Sequence, residues 1–237
     1  MDLEQELALA ADGDGYHHRN HSGIGTIADP AFEQMQILHQ IAPIQSVLEL
    51  GCTTGFRLEK ARQAFGARCA GIEISQAAIA EGQRLYPLVE LRVGAAPRDL
   101  AQWSGQKFDV IVVGHLEYLL PREDLFALAA SVDSLLNEGG HVITMDFIHH
   151  RPTRSAYSHN STLEVYKDSP SAPWTWSPTY YLVSRQIYPQ ARTFTDQVNP
   201  KAWQTVDVVR KLSVDEAYQE VEPPASIHEH DFGLESQ

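Results

Sequence analysis

The sequence predicts an α/β fold: a doubly wound, mostly parallel sheet finished by a C-terminal antiparallel hairpin. Three observations predict it. Short apolar runs alternate with amphipathic stretches from residue 46 to residue 145. The run Phe108 to Val113 is almost continuously apolar, as a parallel strand covered on both faces should be. Two β-type segments then follow late in the chain, separated by too few residues for a crossover helix.

Residues 11 to 29 are rich in Gly, His, Asp and Ser without a hydrophobic period, and are expected to form a loop after a short N-terminal helix. A helix is expected from Ala31, with Phe32, Met35, Ile37, Leu38 and Ile41 as its apolar positions, ending before Pro43. Ser46 to Leu50 reads as the first strand, Phe56 to Phe65 as a helix, Arg68 to Ile74 as a strand and Gln76 to Tyr86 as a helix. Val89 to Val93, a short helix from Pro97 to Trp103, and Phe108 to Val113 continue the alternation. Arg122 to Leu136 is an amphipathic helix stopped by Gly139 and Gly140, and His141 to Met145 is the fifth strand. Residues 147 to 178 show no clear period and are expected to be a lid or binding loop. Tyr180 to Ile187 and Thr205 to Leu212 should pair antiparallel.

These elements divide the chain into a helical and loop cap over residues 1–44, a ligand-binding domain over 45–212 with its lid insertion at about 147–178, and an acidic, disordered tail over 213–237. With 18 Lys and Arg against 31 Asp and Glu, the net charge of −13 repels phosphate backbones, so nucleic acid is a disfavoured partner. No apolar run approaches the ~20 residues that cross a bilayer, the N-terminus lacks the bases of a secretory signal, and two cysteines are too few for a disulfide framework. A cytoplasmic protein without membrane association is therefore expected.

The segment Val47-Leu48-Glu49-Leu50-Gly51-Cys52-Thr53-Thr54-Gly55-Phe56 takes a buried strand through a glycine-bearing turn into a helix, the place where open α/β sheets bind ligands. Gly55 is followed by Phe56 and Arg57 where a P-loop needs Lys and Ser or Thr, and Thr53 occupies the middle glycine of a dinucleotide fingerprint. The cofactor is thus expected to lack phosphates. Glu73, 22 residues beyond Gly51 at the end of the second strand, can accept hydrogen bonds from both ribose hydroxyls of an adenosine. Gly94, Ala95 and Ala96 are small enough to admit a flat adenine.

Taken in order, Glu49-Leu50-Gly51-Cys52-Thr53-Thr54-Gly55, Gly71-Ile72-Glu73-Ile74-Ser75, Phe108-Asp109-Val110-Ile111-Val112 and Leu136-Asn137-Glu138-Gly139-Gly140 resemble the successive motifs of class I S-adenosylmethionine (SAM)-dependent methyltransferases, whose fold is Rossmann-like. The resemblance covers roughly residues 45 to 146. It implies SAM as cofactor, held by Glu49, Gly51, Cys52, Thr53, Gly55, Glu73, Ile74, Ala95, Ala96, Gly114 and His115. Met145-Asp146-Phe147, Tyr166-Lys167 and Pro178-Thr179-Tyr180-Tyr181 are similar to a bacterial branch associated with surface-polysaccharide or sugar biosynthesis. The acceptor is then a small polar metabolite, such as a sugar or sugar nucleotide, methylated on O or N. Thr53 departs from the family's usual glycine, and Gly94 from its usual acid.

His149 and His150, following the fifth strand, are the candidate general bases, with Asp146 beside them, because imidazole titrates near neutrality. His18, Tyr118, Trp174 and Trp176 are candidates to contact the acceptor. His17, His18 and His21 in one segment and His149, His150 and His159 in another match no metal-ligand spacing, so no metal is expected. Two other functions fit the same residues: a catalytically silent, methyltransferase-like scaffold, and a nicotinamide-dependent oxidoreductase, against which the missing central glycine counts.

Overall fold

The computed structural model describes residues 3–20, 29–189 and 203–221. Two helices come first, α1 (Leu3–Asn20) and α2 (Pro30–Ile41). Five strands follow: β1 (Ser46–Leu50), β2 (Arg68–Glu73), β3 (Glu90–Val93), β4 (Phe108–Gly114) and β5 (Leu136–Ile148). Between them run α3 (Phe56–Phe65), α4 (Gln76–Leu85), 3₁₀ turns at Arg98–Trp103 and Glu117–Leu119, and α5 (Asp124–Leu135). The chain continues through β6 (Thr153–Tyr157), β7 (Asn160–Lys167), α6 (Ala172–Thr175), β8 (Tyr180–Pro189), β9 (Trp203–Lys211) and α7 (Val214–Ala217). The main sheet has the order β3-β2-β1-β4-β5-β9-β8, with β1 to β5 parallel and β9 antiparallel to both its neighbours.

The pleat explains the two-sided core. Val47, Cys69, Val110, Val112 and Ile143 point to one face, where Met35 and Leu38 of α2, Leu58 of α3 and Ile79 of α4 cover them. Leu48, Leu50, Ile72, Ile111 and Val142 point to the other, against Leu128 and Val132 of α5, Trp103 and Trp174. β1 is buried along its whole length, as the apolar run Ser46–Leu50 requires. The doubly wound sheet and its late antiparallel pair thus follow the sequence expectation.

Three stretches differ from it. Residues 3–20 are a single helix, not a loop from residue 11, despite Gly13 and Gly15. The helix is held by tertiary contacts: Ser75 Oγ donates to Asp14, His17 Nε2 lies 3.0 Å from Glu81, and Asp12 and His17 are buried. Docking outweighs the helix cost of two glycines, about 1 kcal/mol each. Residues 147–178 hold a hairpin and a short helix instead of an irregular loop. Only Tyr157 of β6 is buried, so that strand offers no alternation to read, whereas β7 buries Leu163 and Val165 two residues apart. Finally, the start of the expected tail forms α7, closed by a capping box between Ser213 and Glu216; residues 222–237 lie outside the described part.

Candidate functional site

The strands' carboxyl ends open into a cavity of about 310 Å³, floored by the turns after β1 and β2 and roofed by α1 with the Tyr118 turn after β4. The β1–α3 turn is built for close approach: Gly51, Thr53 and Gly55 all have positive φ (74°, 50° and 78°). A Cβ on Gly51 would stand 3.2 Å from the Gly114 carbonyl, so the turn must pass tightly under the end of β4.

Glu73, 8% exposed, ends β2 at the cavity floor. Its carboxylate accepts the Thr53 and Ser75 backbone N–H groups, each at 3.0 Å, which fixes it against the glycine turn. Burial raises its pKa, and those N–H donors oppose the rise.

A buried ion network stands beside it. Arg57 Nε donates to both Asp29 oxygens (2.8 and 2.9 Å) and its Nη1 to Glu49. Asp29 also caps α2 by accepting the Phe32 N–H, so one guanidinium joins the starts of α2 and α3 to the end of β1. Burial pushes Glu49 up to about 7, against the pull of Arg57. Burial alone would lower the Arg57 pKa, but the charges of Glu49 and Asp29 outweigh it and raise it.

His115, immediately after β4, lines the cavity with a left-handed φ of 49°, and its N–H donates to Met145 O at 2.6 Å. Burial, helped by the positive Arg57, pushes its imidazole down to about 4, so the ring is neutral near pH 7. Among the described residues, Glu49 Oε2, Thr53 Oγ1 and His115 Nε2 of the lining are buried polar atoms without a hydrogen-bond partner. Orphans gathered at one cavity mark where a polar ligand completes the bonding. A nucleoside amino acid fits that donor set, with hydroxyls for Glu73, an ammonium for Glu49, and small Ala95 and Ala96 where a flat base would lie.

Of the residues expected to hold a cofactor, Glu49, Gly51, Thr53, Glu73, Ile74, Ala95, Ala96 and His115 line this cavity. Cys52 and Gly55 do not: the Cys52 thiol turns into the core beside Gly71, and Gly55 packs on Leu91. Gly114 lies just behind the lining, facing Arg57 and Glu49.

The expected acid–base residues lie elsewhere. β5 runs on to Ile148, carrying His149 and His150 past the sheet's edge, where their rings pack on each other (4.2 Å between centroids) outside the cavity lining. Asp146 is buried and accepts the Tyr118 and Phe147 N–H groups (3.0 and 2.7 Å), pinning the turn after β4 to β5. Among the expected acceptor contacts, Tyr118 lines the cavity. Trp174, 2% exposed, is core on the other face of the sheet; Trp176 is 71% exposed; and His17, not His18, faces the cavity. The two tryptophans and His18 are corrections, for the helical phase of α1 and the packing of α6 on α5 decide where they point.

Sequence reasoning did not find Asp12, Tyr16, His17, Asp29 or Arg57. Asp29-Pro30 was a readable signal, an N-cap followed by proline at N1. The α1 residues carry none, because two glycines mask the helix. No group of three or more metal-ligating side chains occurs among the described residues.

Residues 47–140 match the family described as a methyltransferase domain. No curated protein matches the chain. Among solved structures, the chain is similar to a Burkholderia thailandensis 1,6-didemethyltoxoflavin-N1-methyltransferase with bound 1,6-didemethyltoxoflavin and S-adenosylhomocysteine (TM-score 0.65, 16% identity, 89% of this chain and 90% of that one). It is also similar to DhpI in complex with S-adenosylhomocysteine (SAH; TM-score 0.55, 19% identity, 90% and 99%) and to the glycopeptide N-methyltransferase MtfA (TM-score 0.51, 15% identity, 77% and 91%). The fold is that of the class I methyltransferases.

Proposed function

We propose, with the methyltransferase domain over residues 47–140 as the premise, that this chain is a SAM-dependent methyltransferase acting on an oxygen or nitrogen of a small-molecule acceptor. The observation that carries the reading is the cavity itself. A ribose-competent carboxylate on β2, a glycine turn of positive φ and three orphaned polar atoms converge at the sheet's carboxyl edge.

Bound SAM supplies a methyl group already activated on a sulfonium. The protein's work is then to bind and align. Glu73 accepts the ribose hydroxyls, and Thr53 and Glu49 meet the amino-acid end. His115 Nε2, without a partner among the described residues, can hydrogen-bond the acceptor and orient it, while the burial that keeps the ring neutral makes it a weak base; it stands where His149 or His150 was first expected. α1 closes over the centre and excludes water.

Calorimetric titration with SAM, SAH and NAD(H) tests this. SAM and SAH should bind and NAD(H) should not; no binding of SAM or SAH would remove the proposal. Glu73→Ala should weaken SAH by about 1–3 kcal/mol through lost charge-assisted hydrogen bonds. An unchanged affinity would dismiss the ribose role.

A further inference from the structure

The strand order separates the cavity into two parts. Glu73, Ile74 and the glycine turn stand over β2 and β1. On the other side, Met145 of β5, Gln204 of β9 and Tyr188 of β8 stand over the strands beyond β4. With the donor placed at the first part, the second is left for the acceptor.

Aromatic and apolar side chains line the cavity: Tyr118 after β4 and Tyr188 with Met145 on this side, Tyr16 from α1 above, and Phe56 and Pro30 at the starts of α3 and α2. Tyr16 lines the cavity from the α1 side and is 39% exposed, so its ring stands at the rim. The polar tip of Tyr118 is already engaged. The Tyr118 hydroxyl donates to Tyr157, the Tyr157 hydroxyl donates to Asp12, and Arg19 also reaches Asp12 at 3.3 Å.

Charge narrows the choice further. Among the described lining residues, Arg57 is the one Lys or Arg, and Asp29 and Glu49 hold it; Asp12, Asp29, Glu49 and Glu73 supply the acids. A phosphate or carboxylate on the acceptor would find no free cationic partner among the described lining residues and would enter against that field. A sugar would bring several hydroxyls to a wall that is mainly aromatic and apolar. A flat ring instead buries against aromatic faces, and one or two ring heteroatoms can meet the Gln204 amide and His115 Nε2.

We infer, resting on the methyltransferase reading above, that the acceptor is a small, planar, uncharged aromatic compound carrying its nucleophilic N–H or O–H on the ring, and not a sugar or a nucleotide. Methyl transfer breaks the S–C bond of the sulfonium and forms N–CH3 or O–CH3; the ring's proton, oriented by a hydrogen bond to His115 Nε2, is released to solvent.

The test loads the protein with SAH and titrates indole, quinolin-4-ol, methyl α-glucopyranoside and UDP-glucose, followed by saturation-transfer NMR and calorimetry. At least one ring probe should bind and both sugars should not. Tyr16→Ala should weaken the ring probe by about tenfold, and Tyr16→Phe by far less, since it keeps the face and loses only the hydroxyl. If Tyr16→Ala does not fold, Phe56→Leu serves as the second variant with the same expectation. Tighter binding of either sugar, no binding of either ring, or ring binding indifferent to both variants overturns the inference while leaving SAH binding, and with it the methyltransferase reading, in place. Failure of SAH to bind the parent protein overturns both.

Discussion

The floor of the cavity and its roof are built in opposite ways. The floor uses residues close together in the chain, Glu49 to Arg57 and then Glu73, placed by one strand–turn–helix and the strand beside it. The roof joins Asp12 of α1, Tyr118 of the turn after β4 and Tyr157 of β6, which meet only when the whole chain is folded. In the floor, backbone conformation decides the geometry, with Gly51, Thr53 and Gly55 at positive φ. In the roof, side-chain contacts decide it. A floor of this kind leaves a pattern in the sequence, and a roof of this kind leaves little.

The largest expected effect separates the two by removing one arginine from each. Arg57→Ala strands Asp29 and Glu49 in a buried site and should cost about 3–5 kcal/mol in denaturant unfolding. Arg19→Ala removes a pair whose guanidinium is 38% exposed and should cost about 0–1 kcal/mol. Comparable losses in the two variants would break the contrast between the fully buried ion network of the floor and the half-exposed pair of the roof.

A second test sits where the halves meet. Burial pushes Asp146 up to about 7, while the Phe147 and Tyr118 N–H groups pull the other way. An unfolded Asp titrates near ~3.9, so between about pH 4 and 7 the folded chain holds a proton that the unfolded chain releases. The stabilisation from this group is therefore full below about pH 4 and lost as pH rises through 7. His115 and His141, both pushed down to about 4 mainly by burial, have the opposite sign and lose stability as pH falls from about 6.5. Subtracting parent from Asp146→Asn isolates the carboxyl: the variant should gain relative to the parent between pH 5 and about 8. A constant difference across that range would show that Asp146 titrates as an exposed acid.

The same contrast explains what the sequence disclosed. The strands were legible because runs such as Phe108–Val113 are buried on both faces, and the floor because Glu73 falls at a strand end at a fixed distance from Gly51. His149 and His150 were misplaced because the length of β5 is set by pairing with β9 up to Trp203, a long-range fact with no local signature. Trp174 and Trp176 look equivalent two residues apart, yet the short α6 buries the first against the core and exposes the second. The second half of α1, from residue 11, reads as loop in the sequence because its stability comes from Glu81 and Ser75, far along the chain.

The smallest expected effect lies within α1 itself, where two glycines differ in what surrounds them. A Cβ on Gly15 would meet only the far end of Arg19, at 2.9 Å from Nη1, and that flexible guanidinium can swing away. Gly15→Ala should therefore keep most of the helical gain and stabilise by about 0.5–1 kcal/mol. A Cβ on Gly13 would stand 3.0 Å from Ile74 Cγ2 and 3.5 Å from Glu73 Oε1, at the floor carboxylate. There the β-branched Ile74, at the end of β2, has little freedom to yield, so crowding offsets the helical gain and α1 is lifted off the floor. Gly13→Ala should show no gain in melting temperature and weaker SAH binding, while Gly15→Ala shows a higher melting temperature with SAH affinity retained. Equal gains with unchanged SAH affinity in both would mean that α1 does not rest on Glu73 in solution, and that floor and roof are independent.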